Sequence, residues 1–289
     1  MRRTLWTLAL AGALVACTPG SVSIEDAGVT ADGGGREDAG APLPDAGSDD
    51  AGVKDSGTDV VCPYAYCDDF EHYDAGVVAS KASLGPWKTS VSATGAVLSV
   101  DGLNAKHGAQ ALHIMIAAGD SASGTLNQTV PTGLVTGNDM FGRAEVFYSD
   151  AGTNGLPLGV HSWLFQSKGK QSDGGSSSMN LGGGGTKLQL NYHPPAPLTE
   201  EAVQGGGITA GTWHCLQWQY NGAGNPPADI AKVWIDGALA VDVPVTKGWT
   251  FPTPWTSFDF GFTHYQTLNN PVDVYLDDFA LDGAMVPCP

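Results

Sequence analysis

An all-β fold of two packed sheets is what the sequence predicts for most of its length, and three observations carry that prediction. Beyond residue 61, short runs that alternate apolar and polar residues follow one another, broken by turn formers. The chain holds 40 glycines and 18 prolines in 289 residues, a composition suited to many turns. No window combines a helical period with capping residues.

Taken in order, the first 61 residues stand apart from that fold. Arg2 and Arg3 precede the apolar run "LWTLALAGALVA" (5–16), which is too short to span a membrane. The run ends in Leu14-Val15-Ala16-Cys17, which resembles the bacterial lipobox. That resemblance implies a signal peptide over 1–16, cleavage before Cys17 and lipidation of Cys17. The membrane is then met only through the lipid anchor, and the expected address is the cell envelope, at the outer membrane or cell surface rather than the inner membrane. Residues 17–61 read as a tether. Asp-Ala-Gly recurs at 26–28, 38–40, 45–47 and 50–52, ten acidic residues face two basic ones over 18–61, and little is large and apolar. Such a segment cannot offset the entropy of ordering. It reaches on the order of 40 Å as a flexible chain, and further when self-repelling.

Residues 62–289 are expected to form one domain, large enough for a single sandwich. The runs "ALHIMIA" (111–117), "GRAEVFYS" (142–149), "GVHSWLFQ" (159–166), "KLQLNYH" (187–193), "WHCLQWQY" (213–220) and "SFDFGFTHY" (257–265) fit strands. "KVWIDGALAV" (232–241) reads as a hairpin with Asp236-Gly237 at its tip. Some twelve strands at this spacing make a sandwich or barrel, and "GGGG" (182–185) reads as a loop. The net charge of −17 excludes nucleic acid as a partner, because phosphate binding needs a positive field. A monomer is expected. Cys62, Cys67, Cys215 and Cys288 form an even set that suits disulfides in an exported domain, with three possible pairings. Zinc spacing is lacking.

A family resemblance can now be stated on particular residues. "CDDFE" (67–71), Trp87, "HGAQALHI" (107–114), "GTWHCLQWQYNG" (211–222), "VWIDG" (233–237) and "VYLDDFALDG" (274–283) resemble the concanavalin-A-like or laminin-G-like jelly roll over roughly 62–289. That group includes lectins, laminarinase-type hydrolases and polysaccharide lyases. The resemblance implies that the first and last strands pair in one sheet and that a structural Ca²⁺ sits beside them. On that placement one disulfide is expected to tie the N-terminal segment to Cys288. Along 68–71, Phe70 would face the core with Asp69 and Glu71 opposite. Along 275–281, Asp277 would share a face with Phe279, and Asp278 with Leu276. Carboxylates gathered this way repel unless a cation or protons intervene, and Ca²⁺ takes six to eight oxygens. The expected ligands are Asp69, Glu71, Asp277 and Asp278; a solvated edge strand is the alternative.

In a jelly roll the concave sheet is where glycans bind, so strand alternation selects the candidate site residues. Arg143 and Glu145, Gln189 and Asn191, Gln217 and Gln219, and Tyr265 fall on the polar side of their strands, while the run "VHSWLFQ" is ambiguous, with His161 and Trp163 alternating together. Trp249 and Trp255 are candidates for an exposed platform. Amides and aromatics suit sugar hydroxyls and ring faces, so the expected function is polysaccharide binding at the cell surface. A lyase is the alternative: "GRAEV" is similar to the arginine-x-glutamate strand motif of alginate lyases. By that analogy Arg143 and Gln189 bind a uronate carboxylate while His161 and Tyr265 serve as base and acid. The Gln-Ile-His and Tyr-Phe-Lys-Ala-Gly stretches of those enzymes are missing. A laminarinase-type hydrolase is disfavoured, since Glu145 stands alone where that class needs paired carboxylates. An adhesive or structural surface protein remains a third reading.

Overall fold

The computed structural model describes residues 62–289 apart from 120, 136–138, 150–160, 172, 185, 223–229 and 253. The expected signal peptide, Cys17 and the acidic tether lie outside the described residues. Alternating side chains and frequent turns produce strands almost everywhere, and these assemble into two antiparallel sheets. The first sheet orders β15 (Ala238–Val243), β14 (Ile230–Ile235), β13 (His214–Asn221), β8 (Asp139–Tyr148), β17 (Val272–Asp282), β6 (Ala111–Ile116), β5 (Ala96–Asp101) and β2 (Gly76–Val77). β1 (Tyr66–Asp68) also pairs with β17. The second sheet orders β12 (Glu201–Gly205), β11 (Lys187–His193), β10 (Ser176–Gly184), β9 (Ser162–Lys170), β16 (Trp255–His264), β7 (Ala122–Thr129), β4 (Trp87–Val91) and β3 (Ser83–Leu84).

The core lies between the sheets, and strand alternation explains its membership. Ala144, Val146 and Tyr148 face inward from β8, Leu216, Trp218 and Tyr220 from β13, Leu188, Leu190 and Tyr192 from β11, and Phe258, Phe260 and Phe262 from β16. Phe279 sits at the centre, 4.3 Å from Phe260, 5.6 Å from Trp87 and 6.2 Å from Trp218 between ring centroids. Burying each such ring contributes about 2–3 kcal/mol. The hairpin tip is formed as expected, with Asp236 at φ 50° and Gly237 at φ 78°.

Four sequence expectations are corrected. The "GGGG" stretch is not a loop throughout: residues 182–184 end strand β10, whose Met179 and Leu181 are buried. Trp249 and Trp255 are 2% and 1% exposed and belong to the core, packed around Phe251. The first strand stops at Asp68, because Phe70 turns to φ 61°. Cys288 pairs with Cys215 and Cys62 with Cys67, so no bridge ties the N-terminal segment to Cys288. The reason is that the C-terminal tail crosses β13, where Gln217 Nε2 donates to Val286 O at 2.6 Å, bringing Cys288 to Cys215.

Candidate functional site

The first and last strands do meet, in the register Tyr66↔Leu281, Cys67↔Ala280 and Asp68↔Phe279. The side-chain phase of β17, however, differs from simple alternation. A bulge between Asp277 and Ala280 places Asp278 at φ 48°, so Leu276 and Phe279 both point into the core and Asp277 and Asp278 both leave it. The four expected metal ligands then take separate partners. Asp69 turns to the Glu71 N–H at 3.2 Å and to His72 at 3.8 Å. Glu71 Oε1 accepts from the Ala109 and Gln110 N–H groups at 2.8 and 2.9 Å. Asp277, 1% exposed, accepts from Lys106 and His107 N–H at 2.9 and 3.2 Å, and Asp278 meets His107 Nδ1. Glu71, Asp277 and Asp278 are thus each bonded to one loop, 106–110, while Asp69 bonds within 69–72. Among the described residues the trio with ligand atoms within 4.8 Å of one another is Asp68, Asp69 and His72. Asp68 is already bonded to Trp87 Nε1 and Tyr73 Oη, each at 2.5 Å, and to Phe70 N at 2.9 Å.

The eight expected glycan residues do not share a face. Arg143, Glu145, Gln217 and Gln219 lie on the outer side of the first sheet; His161, Gln189, Asn191 and Tyr265 belong to the outer side of the second. Alternation identifies which side of a strand is polar, and it carries no information about which sheet the strand joins. On the first sheet the chain's own end meets two of the polar groups, Arg143 and Gln217. Arg143, 9% exposed, donates from Nε to Asp278 O at 3.1 Å and from Nη1 to Pro287 O at 3.0 Å, and its guanidinium lies 5.7 Å from the Tyr64 ring centroid. Glu145 is 3% exposed, with Lys106 Nζ at 4.0 Å, and burial raises its carboxyl above the usual range. Gln219 turns to Asp139 at 3.5 Å. These residues hold the fold together.

The second sheet presents a different surface. Cross-strand register aligns Asn191, Asn180, Gln166, Asp259, Asn127 and Lys88 as successive partners on six strands. At about 4.8 Å per strand the row spans roughly 24 Å. A parallel row runs Gln204, Gln189, Gly182, Trp163, Thr263 and Ser123. Gly184 makes room at this end, because a β-carbon there would overlap Gln189 Oε1 and come within 2.7 Å of Gln204 Nε2. The side chains bond mainly to one another. Gln166 Nε2 donates to Asn180 Oδ1 at 2.7 Å, Gln204 Nε2 to Gln189 Oε1 at 2.6 Å, and Gln189 Nε2 to Asn191 Oδ1. Asn191 Nδ2 donates to His161 Nε2 at 2.6 Å. The His161 and Tyr265 rings lie 5.2 Å apart, and Trp163 Nε1 donates to Tyr265 Oη at 2.7 Å. Tyr265 is half exposed, and burial of its ring against the sheet pushes its phenol above the ordinary range, so it remains protonated.

Sequence reasoning missed Asn180 and Gln166 as members of this surface. For Asn180 the signal was present: Ser178, Asn180 and Gly182 alternate with Met179 and Leu181, and the glycine run concealed the strand. Trp163 turns outward through a register shift where Leu181 and Gly182 oppose Phe165 and Trp163, with Leu164 as the extra residue. No local pattern announces that shift.

No protein-family model matches the chain, and no curated protein matches it. Among solved structures the fold is similar to that of the cellulose induced protein Cip1, with a TM-score of 0.53 and 16% identity over 78% of this chain and 100% of that one. It is also similar to an endo-β-1,4-glucuronan lyase from the fungus Trichoderma reesei, with a TM-score of 0.52 and 15% identity over 76% of this chain and 95% of that one. The two-sheet sandwich is therefore a concanavalin-A-like jelly roll, as the sequence resemblance implied.

Proposed function

We propose that the protein is a monomeric lipoprotein of the cell surface, tethered through Cys17, whose second sheet binds a polysaccharide lying across its strands. The observation that carries this reading is the unbroken polar row from Asn191 to Lys88, with His161, Trp163 and Tyr265 beside it. Amide groups both donate and accept, which suits sugar hydroxyls, and the exposed Tyr265 ring offers an apolar face. Two features favour binding over catalysis. His161 Nε2 already accepts a bond from Asn191, so its lone pair is engaged. The arginine that a uronate carboxylate would need lies on the opposite sheet. The test is retention of the protein on a panel of insoluble glycans; retention that survives Asn191→Ala undiminished counts against this surface.

A second reading, β-elimination on a uronic-acid polymer, is favoured by one observation: His161, Tyr265 and the Asn191 and Gln189 amides lie together. Tyr265 would give a proton to the leaving oxygen and His161 would take one from the sugar carbon. Polyuronides incubated with the protein would then yield an unsaturated product seen by its ultraviolet absorbance, and the yield would vanish in Tyr265→Phe. An unchanged absorbance across alginate, glucuronan and polygalacturonate would remove the enzyme reading.

We also propose a structural Ca²⁺ held by Glu71, Asp277 and Asp278 at loop 106–110. Each of these carboxylates is bonded to a group of that loop, and oxygen donors suit a hard cation. The ion would supply charge neutralisation and fix the loop to both chain ends. A chelator should then lower the melting temperature by several degrees, and calcium should restore it. A melting curve indifferent to chelator and calcium would refute the ion.

A further inference from the structure

A cavity of about 120 Å³ opens on the same outer face as the amide rows, next to Tyr265. Ser92, Ser121, Ala122, Ser123, Thr263 and Tyr265 line it, with buried His264 in the wall. Its position continues the site. Thr263 is the cross-strand partner of Trp163 on one side and of Ser123 on the other, so the cavity lies in the row that starts at Gln204 and Gln189. Tyr265 stands between it and His161.

Resting on the polysaccharide reading above, we infer that this cavity is a subsite for one uncharged sugar residue of the bound chain. Five hydroxyl side chains line it, and a hydroxyl both donates and accepts. Ser121 is exposed and Ser92 and Ser123 are partly exposed, so these side chains can be reached by a ligand, whereas Thr263 Oγ1 is closed to solvent. Ser92 Oγ and Ser123 Oγ lie 3.1 Å apart and retain further bonding capacity. His264 contributes no charge: its Nε2 accepts from Ala122 N–H at 3.0 Å and its Nδ1 donates to Gln266 O at 2.7 Å. The described lining holds no Lys or Arg. A sugar carboxylate placed here would lose water and gain no cation, whereas a hydroxymethyl group would lose little. The cavity therefore selects against polymers in which every residue is a uronate and admits neutral or mixed chains.

The test uses the whole protein and affinity electrophoresis against neutral glycans (cellulose derivatives, xylan, mannan, β-1,3-glucan), a mixed glucuronoxylan, and the homopolyuronides alginate, glucuronan and polygalacturonate. The tightest ligand is then titrated against wild type, Ser121→Ala and Ser123→Ala, with melting curves to confirm folding. The expected result is a neutral or mixed ligand, with affinity three- to tenfold lower in each variant. A homopolyuronide as tightest ligand, or both variants binding like wild type, overturns the subsite while leaving the binding surface standing. Retention on no glycan at all overturns the binding surface, and the subsite with it.

Discussion

On the first sheet Arg143 and Gln217 face outward and are met by the chain's own end, at Pro287 O and Val286 O. On the second sheet Gln189, Asn191 and Gln166 face outward and are met by other side chains across the strands. Both sets are polar residues opposite a buried apolar strand face. The difference lies in what can be exchanged. A guanidinium donating to backbone carbonyls beneath a disulfide-held tail cannot release them without undoing the tail, whereas the amides of the second sheet, although Asn191 and Asn180 are only 2% and 4% exposed, bond to side chains that can turn toward ligand hydroxyls.

Four measurements break or sharpen that contrast. The largest effect is expected for the pair Cys215→Ser and Cys288→Ser, which opens a bridge spanning 73 residues. Stability should fall by about 3 kcal/mol in denaturant unfolding, and glycan retention should be unchanged under native conditions. Arg143→Met should follow with a loss of about 2 kcal/mol, since the Asp278 and Pro287 carbonyls lose their donors. Altered glycan affinity in this variant would mean that the two faces communicate. Asn191→Ala should weaken binding roughly tenfold, about 1.4 kcal/mol, and should also lower stability by about 1 kcal/mol, because the buried Asn191 is bonded to Gln189 and His161. The smallest effect concerns His264. Burial holds its imidazole below the ordinary range, and its Nε2 must stay unprotonated to accept the Ala122 N–H. The unfolded chain binds a proton there as pH falls through about 6.5 and the folded chain resists, so stability is lost on the acid side. Between about pH 7 and about pH 5 the melting temperature should drop less in His264→Gln than in wild type. Equal slopes would leave the acid sensitivity to other groups.

How far the site could be read in advance follows from the same contrast. Alternation alone places Gln189 and Asn191 opposite Leu188 and Leu190, and Gln217 opposite Leu216 and Trp218; the apolar members do join the core, while Asn191 and Gln217 are buried as well, at 2% and 7% exposed. His161 and Tyr265 were paired by analogy and do lie together. Arg143 was grouped with them because both residues are outward-facing, and it lies on the other sheet. The Asp277–Phe279 relation failed for a different reason: the bulge at Asp278 adds one residue to β17 and reverses the side-chain phase beyond it.

By itself the sequence determined what depends on neighbours along the chain: strand after strand, the hairpin at Asp236-Gly237, the polar side of each strand and the aromatic residues that would fill a core. Those follow from two-residue periodicity and from turn chemistry, which are local. Tertiary structure alone decided which strands share a sheet, where bulges re-aim Trp163 and Asp278, and that Cys288 reaches Cys215. Sheet membership is set by pairing between segments up to some two hundred residues apart, as between Asp68 and Phe279, and no local pattern encodes the partner.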